Sequence, residues 1–436
     1  MRKRWIPLVL ACLIPAVAGA VARFPKPDFT SGYQYPEIVH GVPFETLWSW
    51  VDVVLLVVMM GVVVWAVYYN PNLASNPNFN PNPNGWLSKE KRSRVAVVAV
   101  SVVSVLYFGF FRSGCVCSVG AIQNVVLALT DSSYHLPWVV LLVFLLPLVA
   151  ALFFGRVFCG GVCPFGALQD LVNVRNLRIS RAVSGALSVI PWIYLAFAIL
   201  YAATRSQFII CRFDPFIGIF RLGGDVGMIV FGAVLLLLSV FVGRPFCQFL
   251  CPYGALLGLF SRVARRKVEV TPHPCINCTL CHDVCPMDAI RPPEANKNPE
   301  HRQRGMKRVL LYMVMLPLFM VAGALLLASQ SQTLSIAHKD VRLYTLLQHA
   351  DEPLAEVEAF HEMGRSEEEL KVKVEEVQRQ YWIWSLVAGG LIGCVVGIKL
   401  LSLTLKRTRK TYEVDASACV ACAKCFNYCP QNKKIN

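Results

Sequence analysis

The chain has 436 residues, 56% of them hydrophobic and only 16% charged, with a formal net charge of +15. Its length would allow two or three soluble domains, but long apolar runs recur along it and indicate a membrane protein instead. The positive charge does not indicate a nucleic-acid partner. Lysine and arginine gather in short clusters beside the apolar runs, as they do in the cytoplasmic loops of membrane proteins.

Residues 1–22 have the features of a signal peptide or of a first membrane helix. A basic start at Met1–Arg4 leads into an apolar stretch that ends in the small residues Ala18–Ala20, which is typical of a cleavage site. On either interpretation residues 23–46 form an external segment. Residues 47–94 then hold a membrane helix at Leu47–Tyr69 and a cytoplasmic loop rich in asparagine and proline.

Further apolar runs are long enough, or nearly so, to cross a bilayer. They lie at Val95–Phe111, Pro137–Phe154, Ala182–Ala203, Val226–Val242, Val309–Leu327 and Tyr381–Leu403. Counting crossings from the N-terminus places the basic clusters on one side: Lys89–Arg94, Arg175 to Arg181, Arg262–Lys267, Arg302–Arg308 and Lys406–Lys410. This side is expected to be cytoplasmic, although Arg205, Arg212 and Arg221 fall opposite. We predict a mainly α, polytopic helical protein of a bacterial inner membrane, with about seven or eight spans.

An internal two-fold repeat lies within residues 95–262. The segment Gly155–Leu168 returns as Gly243–Leu256, and each copy contains a Cys-x3-Cys-Pro loop. Proline directly after cysteine favours the first turn of a helix, where backbone N–H groups stabilise a thiolate or a negatively charged cluster. The four cysteines are enough for one metal centre at the inner membrane edge: Cys159, Cys163, Cys247 and Cys251. A redox-active cysteine pair or a transient copper site would use the same residues.

Each copy of the repeat also has a cysteine-bearing outer loop. Cys115 and Cys117 belong to the first copy, and Cys211 belongs to the second, with Asp214 nearby. Three thiolates and a carboxylate could ligate a further centre. The Cys-x-Cys spacing is not diagnostic, so the sequence leaves this site open.

Two cysteine runs lie outside the repeat, in segments 263–305 and 406–436. Each has three cysteines at steps of three and a fourth followed by proline: Cys275, Cys278, Cys281 and Cys285, then Cys419, Cys422, Cys425 and Cys429. In proteins with two such runs the fourth cysteine ligates the other cluster. The pattern predicts one [4Fe–4S] cluster on Cys275, Cys278, Cys281 and Cys429, and a second on Cys419, Cys422, Cys425 and Cys285. Structural zinc is the alternative, but it needs two separated Cys-x2-Cys pairs that converge on one ion.

Two spans, at 306–328 and 381–405, separate these runs and enclose an external segment at 329–380. Both runs therefore fall on the cytoplasmic side, where they can form a two-cluster ferredoxin-like unit. The acidic half of the external segment, from Glu352 to Gln380, is either a solvated helical hairpin or a docking face for an external redox partner. We expect His338, His349 and His361 at the surface, because no Cys-x-x-Cys-His haem motif accompanies them.

With both kinds of cysteine motif, the chain resembles the membrane-bound polyferredoxins of the NapH and NosR type, mainly over Val95 to Pro286. The resemblance implies that the Cys-x3-Cys-Pro loops serve electron transfer from the quinone pool and that the ferredoxin runs hold [4Fe–4S] clusters. Two features differ. No large flavin-binding domain precedes the membrane region, and the second ferredoxin run follows two additional spans. A more distant similarity is to the ferredoxin-type assembly proteins that handle copper for cytochrome oxidase.

These motifs favour an electron-transfer component of an oxidoreductase system over a stand-alone enzyme. The expected cofactors are two [4Fe–4S] clusters, with one or two further iron–sulfur centres in the membrane region. Lipid is an expected partner because of the apolar runs, and the resemblance to the polyferredoxins implies quinone. No nucleotide or flavin fingerprint is recognisable, so we expect an external or membrane redox protein to carry out the two-electron chemistry. The alternatives are a copper-handling assembly factor for an oxidase and a redox sensor.

Overall fold

The computed structural model describes residues 47–69, 89–114, 117–177, 179–269, 276–293, 302–349, 357, 360, 366–404 and 411–428. The predicted signal peptide or first helix at 1–22 and the external segment at 23–46 lie outside the described residues. The same is true of Cys115, Cys275 and Cys429.

The described part of the chain is mainly helical, as predicted. In chain order, the helices up to residue 221 are α1 (Leu47–Val64), α2 (Lys89–Ser104), α3 (Ser118–Thr130), α4 (Trp138–Phe154), α5 (Pro164–Val172), α6 (Arg181–Leu187), α7 (Ile190–Ala203), α8 (Ile209–Arg212) and α9 (Ile217–Arg221). The others are α10 (Val226–Phe241), α11 (Pro245–Phe249), α12 (Pro252–Ser261), α13 (Leu280–Val284), α14 (Arg302–Ser329), α15 (Ser331–Ser335), α16 (Lys339–His349), α17 (Glu367–Thr404) and α18 (Lys424–Tyr428). Short π-helical turns extend α1 to Tyr69 and α2 to Phe111, and a third covers Phe158–Val162.

Among the described residues, five helical segments are long and apolar enough to cross a membrane: Leu47–Tyr69, Ser93–Phe111, Ala182–Ala203, Met306–Ser329 and Glu367–Ser402. Three more apolar helices are shorter, namely α3, α4 and α10. The predicted runs at Pro137–Phe154 and Val226–Val242 are thus helical but below this length, and the count of seven or eight spans stays a prediction.

The helices α14 and α17 pack as a tight hairpin whose contact is made by glycine. A side chain on Gly393 would place its Cβ 2.1 Å from the carbonyl oxygen of Phe319, and one on Gly389 would place it 2.2 Å from that of Gly323. Small residues allow helix backbones to approach this closely, which is the usual basis of helix association in lipid.

Gly393→Ala is therefore expected to separate the hairpin and to lower the melting temperature of the purified protein, because no side chain here can yield to the added methyl group. Gly390→Ala is the matched control, since its Cβ would lie at an ordinary 3.9 Å from the Met320 carbonyl oxygen. Equal melting temperatures for the two variants would contradict the close contact.

The segment between these two helices has a small core of its own, formed by Val341, Phe360, Leu370 and Val374. The second half of the acidic stretch is helical, and α17 runs without a break from Glu367 into the apolar span. Most of the first half lies outside the described residues, so the hairpin stays a prediction. The expectation of a surface histidine is wrong for His338, which is only 8% exposed. Burial lowers the pKa of His338, while Asp340 acts in the opposite direction. The side chains of His349 and His361 lie outside the described residues.

A two-stranded antiparallel sheet joins chain segments that are far apart in the sequence. Strand β1 (Ile290–Arg291) pairs with β2 (Glu413–Val414), with Ile290 opposite Val414. The Asp415 amide also donates to the Ala289 carbonyl oxygen at 2.8 Å. This pairing brings the segment that follows Cys285, the last cysteine of the first run, next to the segment that precedes Cys419, the first cysteine of the second run.

Candidate metal centres

The second ferredoxin run and Cys285 surround one cavity. It measures about 430 Å³ including its open mouth, and its lining includes Cys285, Cys419, Cys422 and Cys425. These are the four residues that the sequence assigns to one [4Fe–4S] cluster. Burial raises the pKa of Cys285 to about 11, and the neighbouring Cys422 adds to the rise. Thiols with such a pKa become ligands at neutral pH only when a metal displaces their protons.

The backbone of both runs has the same unusual conformation. Asn277 and Thr279 in the first run, and Ala421 and Ala423 in the second, all have φ between 51° and 65°. These are the second and fourth residues after the first cysteine of each run. Non-glycine residues rarely adopt this left-handed region. Its alternation with ordinary residues turns successive N–H groups into a concave anion-binding nest, as found at iron–sulfur sites.

The ligand set of the first run's predicted cluster is described only in part, because Cys275 and Cys429 lie outside the described residues. Cys281, Cys285 and Cys425 all pack against the buried pair Ile290 and Tyr412 beside the two-stranded sheet. Cys278 and Cys281 are both half-buried and neither forms a disulfide. The first run therefore lies next to the second, and the crossed assignment of Cys285 and Cys429 stays a prediction.

The four cysteines of the repeat lie together in the core of the helical region. Cys159, Cys163, Cys247 and Cys251 are all at most 9% exposed and belong to one buried cluster. Cys163 and Cys251 precede the first residues of α5 and α12, Pro164 and Pro252, as the proline spacing predicts. Burial raises the pKa of Cys163 well above its ordinary value, and next in size are the contributions of Cys247 and Cys159. The two loops therefore face each other across one site.

Hydrogen-bond donors point at these sulfur atoms from the protein. The Gly254 amide donates to Cys251 Sγ at 3.3 Å, and the Gln169 Nε2 donates to Cys247 Sγ at 3.5 Å. Gln169 also accepts from the Phe246 amide at 3.1 Å, which fixes its side chain. Hydrogen bonds to the sulfurs are one of the factors that set the reduction potential of an iron–sulfur cluster.

A carboxylate with three cationic partners links the repeat to the second ferredoxin run. Asp170, 1% exposed, pairs with Arg94 at 2.6 Å, with Lys424 at 2.9 Å and with Arg244 at 3.4 Å. Burial alone would raise the pKa of Asp170, but Arg244, Lys424 and Arg94 hold it well below its ordinary value. Arg94 also donates to the Cys422 carbonyl oxygen at 3.0 Å.

The loop that holds Cys159 is in direct contact with the second ferredoxin run. A Cβ on Gly160, next to Cys159, would lie 2.5 Å from the carbonyl oxygen of Val420, so the two loops touch backbone to backbone. Ser261 adds a bond from its hydroxyl to the Ala416 carbonyl oxygen at 2.8 Å. Sequence reasoning missed this contact and the Asp170 network, because neither the spacing of Arg94 and Lys424 nor that of Asp170 marks them as neighbours.

The outer cysteines lie on another side of the same helical region. Burial raises the pKa of the Cys117 thiol, and Asp214 adds to the rise. Cys211 is exposed, and a Cβ on Gly120 would lie 3.2 Å from its Sγ. Burial raises the pKa of Asp214 to about 6, although the amides of Phe216 and Ile217 act against this. With Cys115 outside the described residues, the ligand set of this site stays a prediction.

Within the described ranges, no group of three or more His, Cys, Asp or Glu is close enough to hold a single metal ion. In an iron–sulfur cube each thiolate binds a different iron, so the sulfur ligands stand farther apart than around one ion. The thirteen described cysteines are all free of disulfides. The two fully described sets each offer four thiols, which is the usual ligand set of a [4Fe–4S] cluster, so these donors fit such clusters.

Comparisons with known proteins agree with this chemistry. Residues 136–181 and 225–271 match the family model described as 4Fe-4S binding domain. These segments contain the two Cys-x3-Cys-Pro loops. The chain is 42% identical over 53 residues to "Putative electron transport protein YccM" of Escherichia coli, which covers 12% of this chain and 15% of that protein.

Two proteins of Methanocaldococcus jannaschii are also similar. Uncharacterized protein MJ0750 is 29% identical over 185 residues, 42% of this chain and 77% of that protein. Uncharacterized protein MJ0749 is 36% identical over 55 residues, 13% of this chain and 22% of that protein. No solved structure matches the chain. The family match and the similarity to the protein named "Putative electron transport protein YccM" support iron–sulfur chemistry of the ferredoxin type for this chain.

Proposed function

We propose that this chain is a membrane protein that relays single electrons between two cytoplasmic [4Fe–4S] clusters and a further centre held by Cys159, Cys163, Cys247 and Cys251. The observation that carries the proposal is the close approach of Gly160, the neighbour of Cys159, to the backbone of Val420 and Ala421. Because the loops touch, the two cysteine sets are adjacent, and no side chain separates their backbones. Such clusters, when bound, supply one-electron transfer at a potential that the protein sets.

Aromatic side chains pack between the four repeat cysteines and the outer cysteine site, and they support an electron-transfer route that continues to the outer site. Phe165 follows Cys163 by two residues, and its ring stacks on Phe216 with centroids 5.5 Å apart. Phe216 lies two residues after Asp214 and contacts Phe246, the neighbour of Cys247, at 5.2 Å. A bilayer core of about 30 Å is too thick for one efficient electron hop. A centre near each face would divide the distance, so we propose that the outer cysteines complete the route.

The location in a bacterial inner membrane, the cytoplasmic side of the ferredoxin runs and the use of quinone belong to the same proposal. The five candidate spans and their exposed apolar side chains support the membrane. The basic clusters beside them support the orientation. Quinone and an external or membrane redox partner follow from the resemblance to the polyferredoxins.

The test is iron and sulfide quantitation with EPR on the protein purified without oxygen. We expect at least three [4Fe–4S] signals in the wild type and the loss of one in Cys247→Ser, because Cys247 is buried among the other three cysteines of its set. Cys394→Ser is the matched control, since Cys394 lies within α17 and belongs to neither cysteine motif. If the wild type contained stoichiometric copper, and Cys247→Ser lost that copper but no iron, the result would favour the assembly-factor alternative and contradict the relay.

A further inference from the structure

Each copy of the repeat begins with a Gly-Arg pair, and both arginines are buried. Arg244 is fully buried and Arg156 is 5% exposed. Each arginine lies three residues before the first cysteine of its own loop. Buried arginines are rare because a charge without a partner is costly in the protein interior, so their surroundings indicate their role.

The arginines reach across the repeat to the other copy. The guanidinium of Arg244 donates to the carbonyl oxygens of Cys159 and Gly160. A Cβ on Gly166 would lie 3.5 Å from Arg244 Nη1, and a Cβ on Gly254 would lie 3.0 Å from Arg156 Nη2. The glycine after each Cys-Pro-aromatic sequence thus leaves room for the arginine of the other copy.

The same arginines also face the second ferredoxin run. Arg156 Nη1 donates to the Ser417 carbonyl oxygen at 3.1 Å, while its Nη2 lies 4.0 Å from Cys159 Sγ. Ser417 lies two residues before Cys419, so the guanidinium of Arg156 extends from the four-cysteine set to the second ferredoxin run.

Positive charge is in excess where the repeat contacts the second ferredoxin run. Asp170 is shared by Arg244, Arg94 and Lys424, and within the described residues Arg156 has no carboxylate within ion-pair distance. The Nε atoms of Arg156 and Arg244 are buried and have no hydrogen-bond partner there. A buried excess of positive charge requires an anion. Thiolate-held iron–sulfur clusters on both sides carry negative charge and would supply it.

We propose that Arg156 and Arg244 form a cationic bridge that raises the reduction potentials of both the four-cysteine cluster and the cluster of the second ferredoxin run. The inference rests on the proposed function, because both cysteine sets must hold clusters. A nearby cation stabilises the reduced, more negative form of each cluster, and net charge is a known determinant of cluster potential. The bridge would keep the two potentials close enough for electron exchange in either direction.

The test compares the reduction potentials of wild type, Arg156→Gln and Arg156→Lys by EPR-monitored titration of the full-length protein. In Arg156→Gln both signals are expected to move to lower potential by about 59 mV or more, a tenfold change in the ratio of reduced to oxidised cluster. Arg156→Lys should restore most of the shift. Arg265→Gln is the control, since it removes an arginine whose guanidinium lies over the Phe153 ring.

Iron and sulfide content distinguishes the possible failures. Unchanged potentials in Arg156→Gln with full cluster content, or a shift confined to one cluster, would overturn the bridge and leave the relay intact. Wild-type protein without a cluster on the four repeat cysteines would overturn the relay itself. Arg244→Gln should shift both potentials in the same direction, and it also removes the bonds to Cys159 and Gly160.

Discussion

Cys285→Ser is expected to abolish the cluster of the second ferredoxin run and to preserve the cluster of the first. The reason is the cavity that Cys285 shares with Cys419, Cys422 and Cys425. Serine oxygen is a poor substitute for thiolate as an iron ligand, so one cluster's iron and one EPR signal should disappear. The measurement is iron and sulfide analysis with EPR at stepped potentials.

Cys278→Ser supplies the complementary result. It should remove the first-run signal that survives in Cys285→Ser and keep the second-run signal that is lost there, although Cys278 and Cys285 are only seven residues apart. Each variant would then retain one of the two ferredoxin signals beside the signal of the four repeat cysteines. If both variants lost the same signal, all four cysteines of the first run would bind one cluster, and the crossed assignment would be wrong.

Asp170→Asn is expected to lower the free energy of unfolding by about 3–5 kcal/mol at neutral pH, the usual cost of removing one partner from a buried ion pair. Asparagine has a similar size but leaves Arg244, Arg94 and Lys424 without their shared anion. Since Lys424 belongs to the second ferredoxin run, that run should also detach more easily from the repeat. Denaturant unfolding in detergent, followed by cluster absorbance, measures both effects.

The effect of Asp170 depends on pH in a defined direction. The pKa of Asp170 is lower in the folded protein than its ordinary value of 3.8. Its contribution is therefore complete above that value and is lost as the pH falls towards the folded pKa. The stability difference between wild type and Asp170→Asn should shrink below about pH 4.

Asp131→Asn is the control for Asp170→Asn. It removes the partner of Arg205, which is 53% exposed, and should cost at most about 1 kcal/mol because solvent screens such pairs. A similar loss in both variants at neutral pH would contradict the special role of Asp170.

The sequence by itself determined the chemistry and most of the helices. Three cysteines at steps of three can lie only on one short loop, and a proline after Cys163 and Cys251 starts a helix there. Apolar runs of sufficient length predicted the helical segments at Leu47–Tyr69 and Ala182–Ala203 with the bounds that the structure has. These features are local, so a pattern of neighbouring residues is enough to specify them.

Only the tertiary structure decided which cysteines are neighbours of which charges. Asp170 and Lys424 are separated by more than half of the chain, and nothing in the spacing of either residue predicts their contact at 2.9 Å. The same holds for the exchange of Arg156 and Arg244 between the two copies of the repeat and for the burial of His338. Such contacts depend on how whole helices pack, because the cost of burying a charge is offset only where a distant part of the chain brings a partner to it.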